Sequence, residues 1–260
     1  MSLVLLEEKN FVTTIKLNRV DKLNALNWDL IDELTLCVLS VSEKIKKANN
    51  TRVVLIGSST PKSFCAGADL KERSQMTDEK VVETLSKLRK LMDAVAAIPV
   101  PTIAVVEGLA FGGGLELALA CDIRITTHTS QLGLTETNLA IFPAAGGTQR
   151  LPRLIGEAKA KELIFFARKL SGDQAAQLGI VHTVSAHAWP TAESWAEELC
   201  KKGPLALKQA KASIDGGREL PLDAALDHEH NCYLELLPSS DRAEGLKAFL
   251  EKRDPHYTGQ

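Results

Sequence analysis

Three consecutive glycines at the start of a helix-forming run are the first feature of this chain that suggests chemistry. The glycines are Gly112, Gly113 and Gly114, and the run after them carries one carboxylate, Glu116. Each glycine inside a helix costs about 1 kcal/mol relative to alanine, so the pattern indicates that backbone, not side chain, is needed there. Free N–H groups and the positive end of the helix dipole then face one spot. The sequence therefore predicts a site for an anion, or for a carbonyl oxygen that becomes negative during a reaction.

A second tight turn offers the same kind of backbone donor. Ala66, Gly67 and Ala68 lead into a helical stretch with Asp69 in its first turn. One N–H group from each turn could clamp a single carbonyl oxygen, as an oxyanion hole requires. The simpler interpretation is a strand-to-helix connection that Asp69 caps. The residues alone leave both interpretations open.

A second carboxylate, Glu136, lies twenty residues beyond Glu116, in a loop after a short predicted strand. A return loop can bring both carboxylates to one cleft, where one group of raised pKa and one ionised group would form an acid/base pair. Spacing alone favours the plainer alternative. In that alternative Glu116 is a first-turn residue stabilised by the helix dipole, and Glu136 is a solvated loop residue.

Strand and helix patterns alternate along most of the chain and then give way to helices alone. Strand patterns cover residues 4–7, 12–17, 52–56, 102–106, 123–127, 131–134 and 180–184. Helical patterns cover residues 27–47, 79–97, 115–121 and 157–167, and then 190–201, 204–215, 222–236 and 242–252, with a loop over 139–153. The alternation predicts an α/β fold with parallel strands and helical crossovers. The apolar faces of the last helices predict packing on the main domain or on a neighbouring subunit.

Composition argues against several classes of protein. The 260 residues include 31 Lys and Arg and 33 Asp and Glu, and the net charge of −2 gives no bulk attraction to nucleic acid or to an anionic membrane. The first apolar run ends at Glu7 and is too short for a signal peptide or a membrane span. Five cysteines without a C-x-x-C pair predict reduced thiols in an intracellular compartment. The histidines lack ligand spacing, so no metal is expected.

Four motifs resemble the crotonase, or enoyl-CoA hydratase/isomerase, superfamily. They are CAGADLKER (65–73), GLAFGGGLELALACDIR (108–124), GLTE (133–136) and GGTQRLPR (146–153), and they follow the family order. The residues of these motifs most resemble those of the branch that contains methylglutaconyl-CoA hydratases and enoyl-CoA hydratase domain-containing proteins. The resemblance implies an α/β fold built as a spiral of ββα repeats. Residues 1–195 would form the core with the CoA-thioester site, and residues 196–260 a helical region that assembles trimers or hexamers.

The resemblance also implies roles for individual residues. The N–H groups of Ala68 and Gly113 match the oxyanion hole that holds the thioester carbonyl. Glu116 matches the group that activates water and Glu136 the group that delivers a proton to Cα. The implied activity is hydration of the 2,3 double bond of a short-chain or branched 2-enoyl-CoA. The residues implied to bind CoA are Ala66, Asp69, Leu70 and Lys71, with Tyr233 and Lys252 reaching the CoA of a neighbouring subunit. CoA is part of the substrate, and no separate cofactor is expected.

Other readings of the resemblance stay open. Double-bond isomerisation or another crotonase-type reaction would use the same motifs, and one family member binds RNA through a lysine-rich helix. Residues 27–41 contain Asp29, Asp32 and Glu33 but no lysine, so a nucleic-acid partner is not expected. Ala144 and Ala145 stand where many hydratases have glycine, which predicts a different turnover or substrate choice. The expected compartment is the cytoplasm, or the mitochondrial matrix if a presequence has been removed.

Overall fold

The computed structural model describes residues 2–48 and 50–260, and within these residues ten strands form two sheets. The strands are β1 (Val4–Lys9), β2 (Val12–Leu17), β3 (Val53–Ser58), β4 (Ser63–Cys65), β5 (Thr102–Val106), β6 (Leu109–Phe111), β7 (Ile123–Thr127), β8 (Gln131–Gly133), β9 (Leu170–Ser171) and β10 (Thr183–Ser185). The α-helices are α1 (Trp28–Lys47), α2 (Leu70–Arg73), α3 (Asp78–Ala96), α4 (Gly113–Ala120), α5 (Gly147–Ile155), α6 (Glu157–Phe165), α7 (Gly172–Gln177), α8 (Ala188–Cys200), α9 (Pro204–Gly217), α10 (Leu222–Leu234) and α11 (Ser240–Glu251).

The larger sheet has the strand order β1-β2-β3-β5-β7-β10, with β1 antiparallel to β2 and the other neighbours parallel. Every residue of β3 and β5 is buried, because helices cover both faces of the sheet. One face packs on the apolar sides of α1 and α3. The other face packs on the small residues Ala188, Ala192 and Ala196 of α8, which let the helix approach closely.

The smaller sheet has the order β4-β6-β8-β9, and its first three strands run parallel. Each of these strands follows a strand of the larger sheet, and each is followed by a helical segment. The chain therefore repeats a ββα unit as β3-β4-α2, β5-β6-α4 and β7-β8 with the helical turn Glu136–Leu139, as the spiral prediction requires. Because β4, β6 and β8 are parallel neighbours, the residues that leave their carboxyl ends meet at one edge.

Several predicted elements are wrong in detail. The expected loop over 139–153 contains the start of α5, and the expected strand at 180–184 is β10, at Thr183–Ser185. Ile180 is instead buried in the main core, and its carbonyl accepts a hydrogen bond from the Arg124 side chain at 2.7 Å. The short strands β4, β6 and β9 and the helix α7 were not predicted. Elements of two to six residues are too short to show a periodic pattern.

The last helices carry large apolar side chains on their exposed surfaces. The most exposed are Ile214, Leu222, Phe249 and Leu250, each between 71 and 81% accessible in the single chain. The boundary expected at residue 195 falls inside α8, whose packing on the larger sheet joins the two parts of the chain. Within residues 2–48 and 50–260, no helix is long and apolar enough to cross a bilayer.

Candidate active site

A cavity of about 130 Å³ opens where the carboxyl ends of β4, β6 and β8 meet. Its wall contains both predicted backbone donors, Ala68 and Gly113, and both predicted carboxylates, Glu116 and Glu136. The rest of the wall is mostly apolar and includes Leu26, residues of α2 and α3, and residues of the segment 139–145. The structure thus brings together the four residues that the sequence singled out for chemistry.

Close backbone contacts explain the glycines at the start of α4. Gly112 has a φ of 51°, in the left-handed region, and its N–H donates to the Gly133 carbonyl at 2.9 Å. A Cβ on Gly114 would overlap the Cys65 carbonyl oxygen, well inside contact distance. The main chains at the end of β4 and at the start of α4 are therefore in direct contact, and only glycine fits at position 114.

Two backbone N–H groups at this junction, those of Ala68 and Gly113, take no part in the hydrogen bonding of the described strands and helices. Leu26 forms a bridge with the second turn, donating to the Gly67 carbonyl at 2.7 Å and accepting from the Asp69 N–H at 3.1 Å. Within residues 2–48 and 50–260, the N–H groups of Ala68 and Gly113 donate no hydrogen bond to the protein. A Cβ on Gly67 would lie 3.7 Å from the Gly113 nitrogen, so the two turns are adjacent. Both residues line the cavity, and among the described residues neither N–H group has an acceptor.

Glu116 is buried, with 3% of its surface accessible. Its Oε1 accepts hydrogen bonds from the N–H groups of Ala145 at 2.8 Å and Gly147 at 2.7 Å. Burial raises the pKa of Glu116 above its ordinary value, and the two N–H groups and the charge of Arg150 oppose that rise. A Cβ on Gly147 would lie 3.0 Å from the same Oε1, so a glycine keeps this contact open. Glu116 does lie in the first turn of α4, as the plainer interpretation has it, but its buried carboxylate also accepts hydrogen bonds from another segment of the chain.

Glu136 begins the helical turn Glu136–Leu139 and is half-buried. Burial raises its pKa to about 7, and the charge of Glu116 adds to the rise, against a hydrogen bond from its own backbone. Within the described residues its Oε2 is buried without a hydrogen-bond partner. A Cβ on Gly112 would lie 2.9 Å from Oε1 of Glu136, which places this carboxylate against the glycine turn. Glu136 is therefore suited to hold a proton near neutral pH, beside a carboxylate that accepts two hydrogen bonds.

Of the residues predicted to bind the CoA in the turn before α2, some line the cavity and one has a structural role instead. Ala66 and Leu70 line the cavity, whereas Lys71 is exposed outside it. Asp69 caps α2, accepting from the N–H groups of Lys71 and Glu72 at 3.1 Å, and pairs with Arg19 at 2.8 Å. Burial acts to raise the pKa of Asp69, but these hydrogen bonds and the Arg19 charge prevail and lower it. The capping interpretation of Asp69 is confirmed.

Tyr233 and Lys252 lie outside this cavity in the single chain. Tyr233 is 57% accessible on α10, and Lys252 ends α11 with a φ of 55°. Their predicted contact with the CoA of a neighbouring subunit stays a prediction.

Two residues of the site, Gly147 and Arg73, were not singled out from the sequence. Gly147 and Ala145 supply the N–H groups that hold Glu116, and Ala145 was named from the sequence only as a departure from glycine. Ala144, named with it, lines the cavity. The sequence feature that could have identified this segment was the pair Gly146-Gly147, which starts a helix as the glycines before α4 do. Arg73, the last residue of α2, also lines the cavity. Within residues 2–48 and 50–260, no three His, Cys, Asp or Glu side chains are grouped as metal ligands.

Comparison with known proteins agrees with this geometry. The family described as enoyl-CoA hydratase/isomerase matches residues 7–260. The mitochondrial methylglutaconyl-CoA hydratase of Homo sapiens is 44% identical, over 98% of this chain and 76% of that protein. The putative enoyl-CoA hydratase/isomerase YngF of Bacillus subtilis (strain 168) is 42% identical over 99% of this chain and 98% of its own length. The crystal structure of an enoyl-CoA hydratase from Bacillus anthracis superposes with a TM-score of 0.95 at 43% identity, covering 100% of both chains.

Proposed function

We propose, from the premise that the chain belongs to the enoyl-CoA hydratase/isomerase family, that it adds water across the 2,3 double bond of a short-chain or branched 2-enoyl-CoA. The observation that carries the proposal is a pair of carboxylates with unlike surroundings in one cavity. Glu116 accepts two N–H hydrogen bonds, whereas Oε2 of Glu136 is buried without a partner among the described residues. Such a difference suits one base and one acid.

The thioester carbonyl oxygen would accept hydrogen bonds from the N–H groups of Ala68 and Gly113. Both groups line the cavity and neither is used by the described part of the protein. Addition of water at C3 moves electrons through C2 to that oxygen, which becomes enolate-like. Fixed donors at this point stabilise the transition state more than the substrate, by roughly 3–4 kcal/mol per donor in other enzymes.

Glu116 would act as the base and Glu136 as the acid. Glu116 takes a proton from the water as its oxygen bonds to C3, and Glu136 gives its proton to C2 as the enolate collapses. The products of this step are a 3-hydroxyacyl-CoA, a protonated Glu116 and an ionised Glu136. Transfer of one proton from Glu116 to Glu136 through solvent restores the starting state. A pKa of about 7 means that a substantial fraction of Glu136 carries its proton at neutral pH.

The CoA portion of the substrate would leave the cavity along Ala66, Leu70 and Lys71, whose exposure increases in that direction. We assign assembly into a trimer or hexamer to the last helices, where Leu222, Phe249 and Leu250 are left uncovered in the single chain. Tyr233 and Lys252 lie on the same helices and would approach a neighbouring subunit's CoA.

The proposal is tested by following the absorbance of the conjugated thioester of crotonyl-CoA. The wild-type protein is expected to hydrate it, and Glu116→Gln and Glu136→Gln are each expected to slow the reaction by about 10²–10⁴-fold. Retention of full activity by both variants would contradict the assigned roles. Rapid interconversion of 3-enoyl-CoA and 2-enoyl-CoA without hydration would identify the protein as an isomerase instead.

A further inference from the structure

Two N–H groups reach the same oxygen of Glu116 because the main chain turns sharply at residues 145–147. The N–H groups of Ala145 and Gly147 donate to Oε1 at 2.8 and 2.7 Å. Between them Gly146 has a φ of 114°, in the left-handed region, and this conformation brings two donors to one acceptor. The position of the Glu116 carboxylate therefore depends on the shape of the turn 145–147.

Arg150 of α5 donates a hydrogen bond to each of the two carbonyl groups within this turn. Its Nη1 donates to the Ala145 carbonyl at 3.3 Å, and its backbone N–H donates to the Gly146 carbonyl at 2.7 Å. A Cβ on Gly146 would overlap Nη1, so the guanidinium lies against the turn. Ala145 is buried, and within residues 2–48 and 50–260 its carbonyl has no other donor. Loss of the guanidinium would therefore leave a buried acceptor unpaired.

The guanidinium of Arg150 is also bound at its other nitrogen. Nη2 pairs with Oδ1 of Asp93 on α3 at 3.2 Å, and Asp93 pairs in addition with Arg89 at 3.5 Å. Asp93 is more than half exposed, and an ion pair with an exposed carboxylate adds little stability by itself. Its effect here is geometric, because it fixes the direction in which a long side chain reaches the turn.

The charge of Arg150 acts on Glu116 in the same direction as the two N–H groups. Burial raises the pKa of Glu116, and both the N–H groups and the guanidinium oppose that rise. The other ionisable side chains among the described residues of the cavity wall are Glu136, on which the Glu116 charge acts, and Arg73 of α2. Cys65 of β4 has its pKa raised by burial to about 12 and is neutral near pH 7. Arg150 therefore favours the ionised Glu116 that the proposed base requires.

We infer that Arg150 is a positioning residue for hydration, which holds the turn 145–147 so that its two N–H groups fix the orientation of the Glu116 carboxylate. This inference rests on the hydration proposed above and adds a residue to its machinery. Arg150 is not among the described residues that line the cavity, so it acts through the turn and not by contact with the substrate. Misplacing a reacting group by about 1 Å can cost roughly 10²-fold in rate, which is why a device that only positions Glu116 matters.

The test follows hydration of crotonyl-CoA across pH in Arg150→Met, which nearly keeps the length of the side chain and removes its charge and its donors. Its kcat/KM at pH 7 is expected to fall by about 10- to 100-fold, in kcat more than in KM. The acid limb, where Glu116 takes up its proton, should move to higher pH, because both changes favour the protonated form. The alkaline limb, assigned to Glu136, should stay in place.

Arg150→Lys keeps the charge and a donor, so it should restore part of the rate and displace the acid limb less. It also carries the comparison if Arg150→Met fails to fold. The matched control is Arg153→Met, because Arg153 lies on the same helix and forms a comparable ion pair, with Glu219 at 3.1 Å. This control should leave the rate and both limbs unchanged.

An acid limb that stays in place in both Arg150 variants would overturn the inference, because it would mean that Arg150 acts on the fold alone. A loss of rate that Arg150→Lys does not restore in part would overturn it as well. Infrared titration of the Glu116 carboxyl band, identified by its absence in Glu116→Gln, gives a readout that needs no turnover. If Arg150→Met raises the pH at which this carboxyl ionises, the inference stands even if hydration is absent. If the wild type hydrates crotonyl-CoA and neither the acid limb nor the band moves in the variants, the proposed function stands and the inference fails.

Discussion

Replacing Glu136 by glutamine is expected to make the protein more stable above neutral pH and less active at the same time. The folded state raises the pKa of Glu136 from 4.5 to about 7, chiefly through burial. Between those pH values the unfolded chain has released the proton and the folded chain still holds it. The stability linked to this group is therefore complete below pH 4.5 and is lost as pH rises through 7. Glutamine does not titrate and avoids this loss.

The size of the effect follows from the same two pKa values. At about 1.4 kcal/mol per pKa unit, the rise corresponds to about 3 kcal/mol at most. Because Glu136 is only half-buried, solvent screening reduces the expected difference to about 1–2 kcal/mol. At pH 8, Glu136→Gln should thus unfold at a higher urea concentration than the wild type. At pH 5 the two midpoints should nearly coincide.

The measurement is urea unfolding at pH 5, 6, 7 and 8, at one protein concentration so that assembly contributes equally. Glu193→Gln is the matched control, because Glu193 is exposed on α8 and should give no pH-dependent difference. A stability difference of the same size at pH 5 and pH 8 would refute the linkage argument. If Glu136→Gln were less stable than the wild type at pH 8, the ionised Glu136 carboxylate would not be what destabilises the folded state. The expected result would show that Glu136, which is proposed to be needed for activity, lowers the stability of the folded protein above neutral pH.

Three further outcomes are expected. The kcat/KM of hydration should fall above about pH 7, where Glu136 loses its proton, and Glu136→Gln should lack this alkaline limb in its residual rate. Gly114→Ala should lower stability by about 1–3 kcal/mol in a thermal melt and reduce hydration, because its Cβ would overlap the Cys65 carbonyl oxygen. Gly203→Ala, with its nearest neighbour 3.6 Å from the added Cβ, should change little. Light scattering should give a mass of three or six chains of 28.2 kDa, and a stable monomer would contradict the role given to the last helices.

The sequence predicts the long elements of this fold well because their patterns repeat. The helix α1 shows apolar residues at spacings of three and four, and β3 and β5 are continuous β-branched or apolar runs. The helix α5 was predicted as a loop because it begins with glycine and contains Pro152, which cannot donate to the preceding turn. The helix forms nevertheless, since Leu151 is buried in the core and holds one face of α5 against it.

The site shows a different limit of sequence reasoning. Spacing alone did not favour a catalytic role for Glu116, since a first-turn glutamate is ordinarily explained by the helix dipole. Its burial depends on the segment 143–147, which folds over α4 from about thirty residues away and supplies the N–H groups of Ala145 and Gly147. No local pattern around Glu116 encodes that contact. The motif resemblance identified the residue where the pattern could not.

The overlap that forbids a side chain at Gly114 also bears on how such proteins diverge. The two N–H groups of Ala68 and Gly113 belong to the main chain, and their separation is set by the contact between α4 and the end of β4. Side chains on α2 and α3, such as Arg73 and Leu88, also line the cavity but take no part in that contact. Substitutions there can change which acyl group is accepted while leaving the spacing of the two donors intact. One unchanged backbone arrangement can therefore be inherited by enzymes with different substrates.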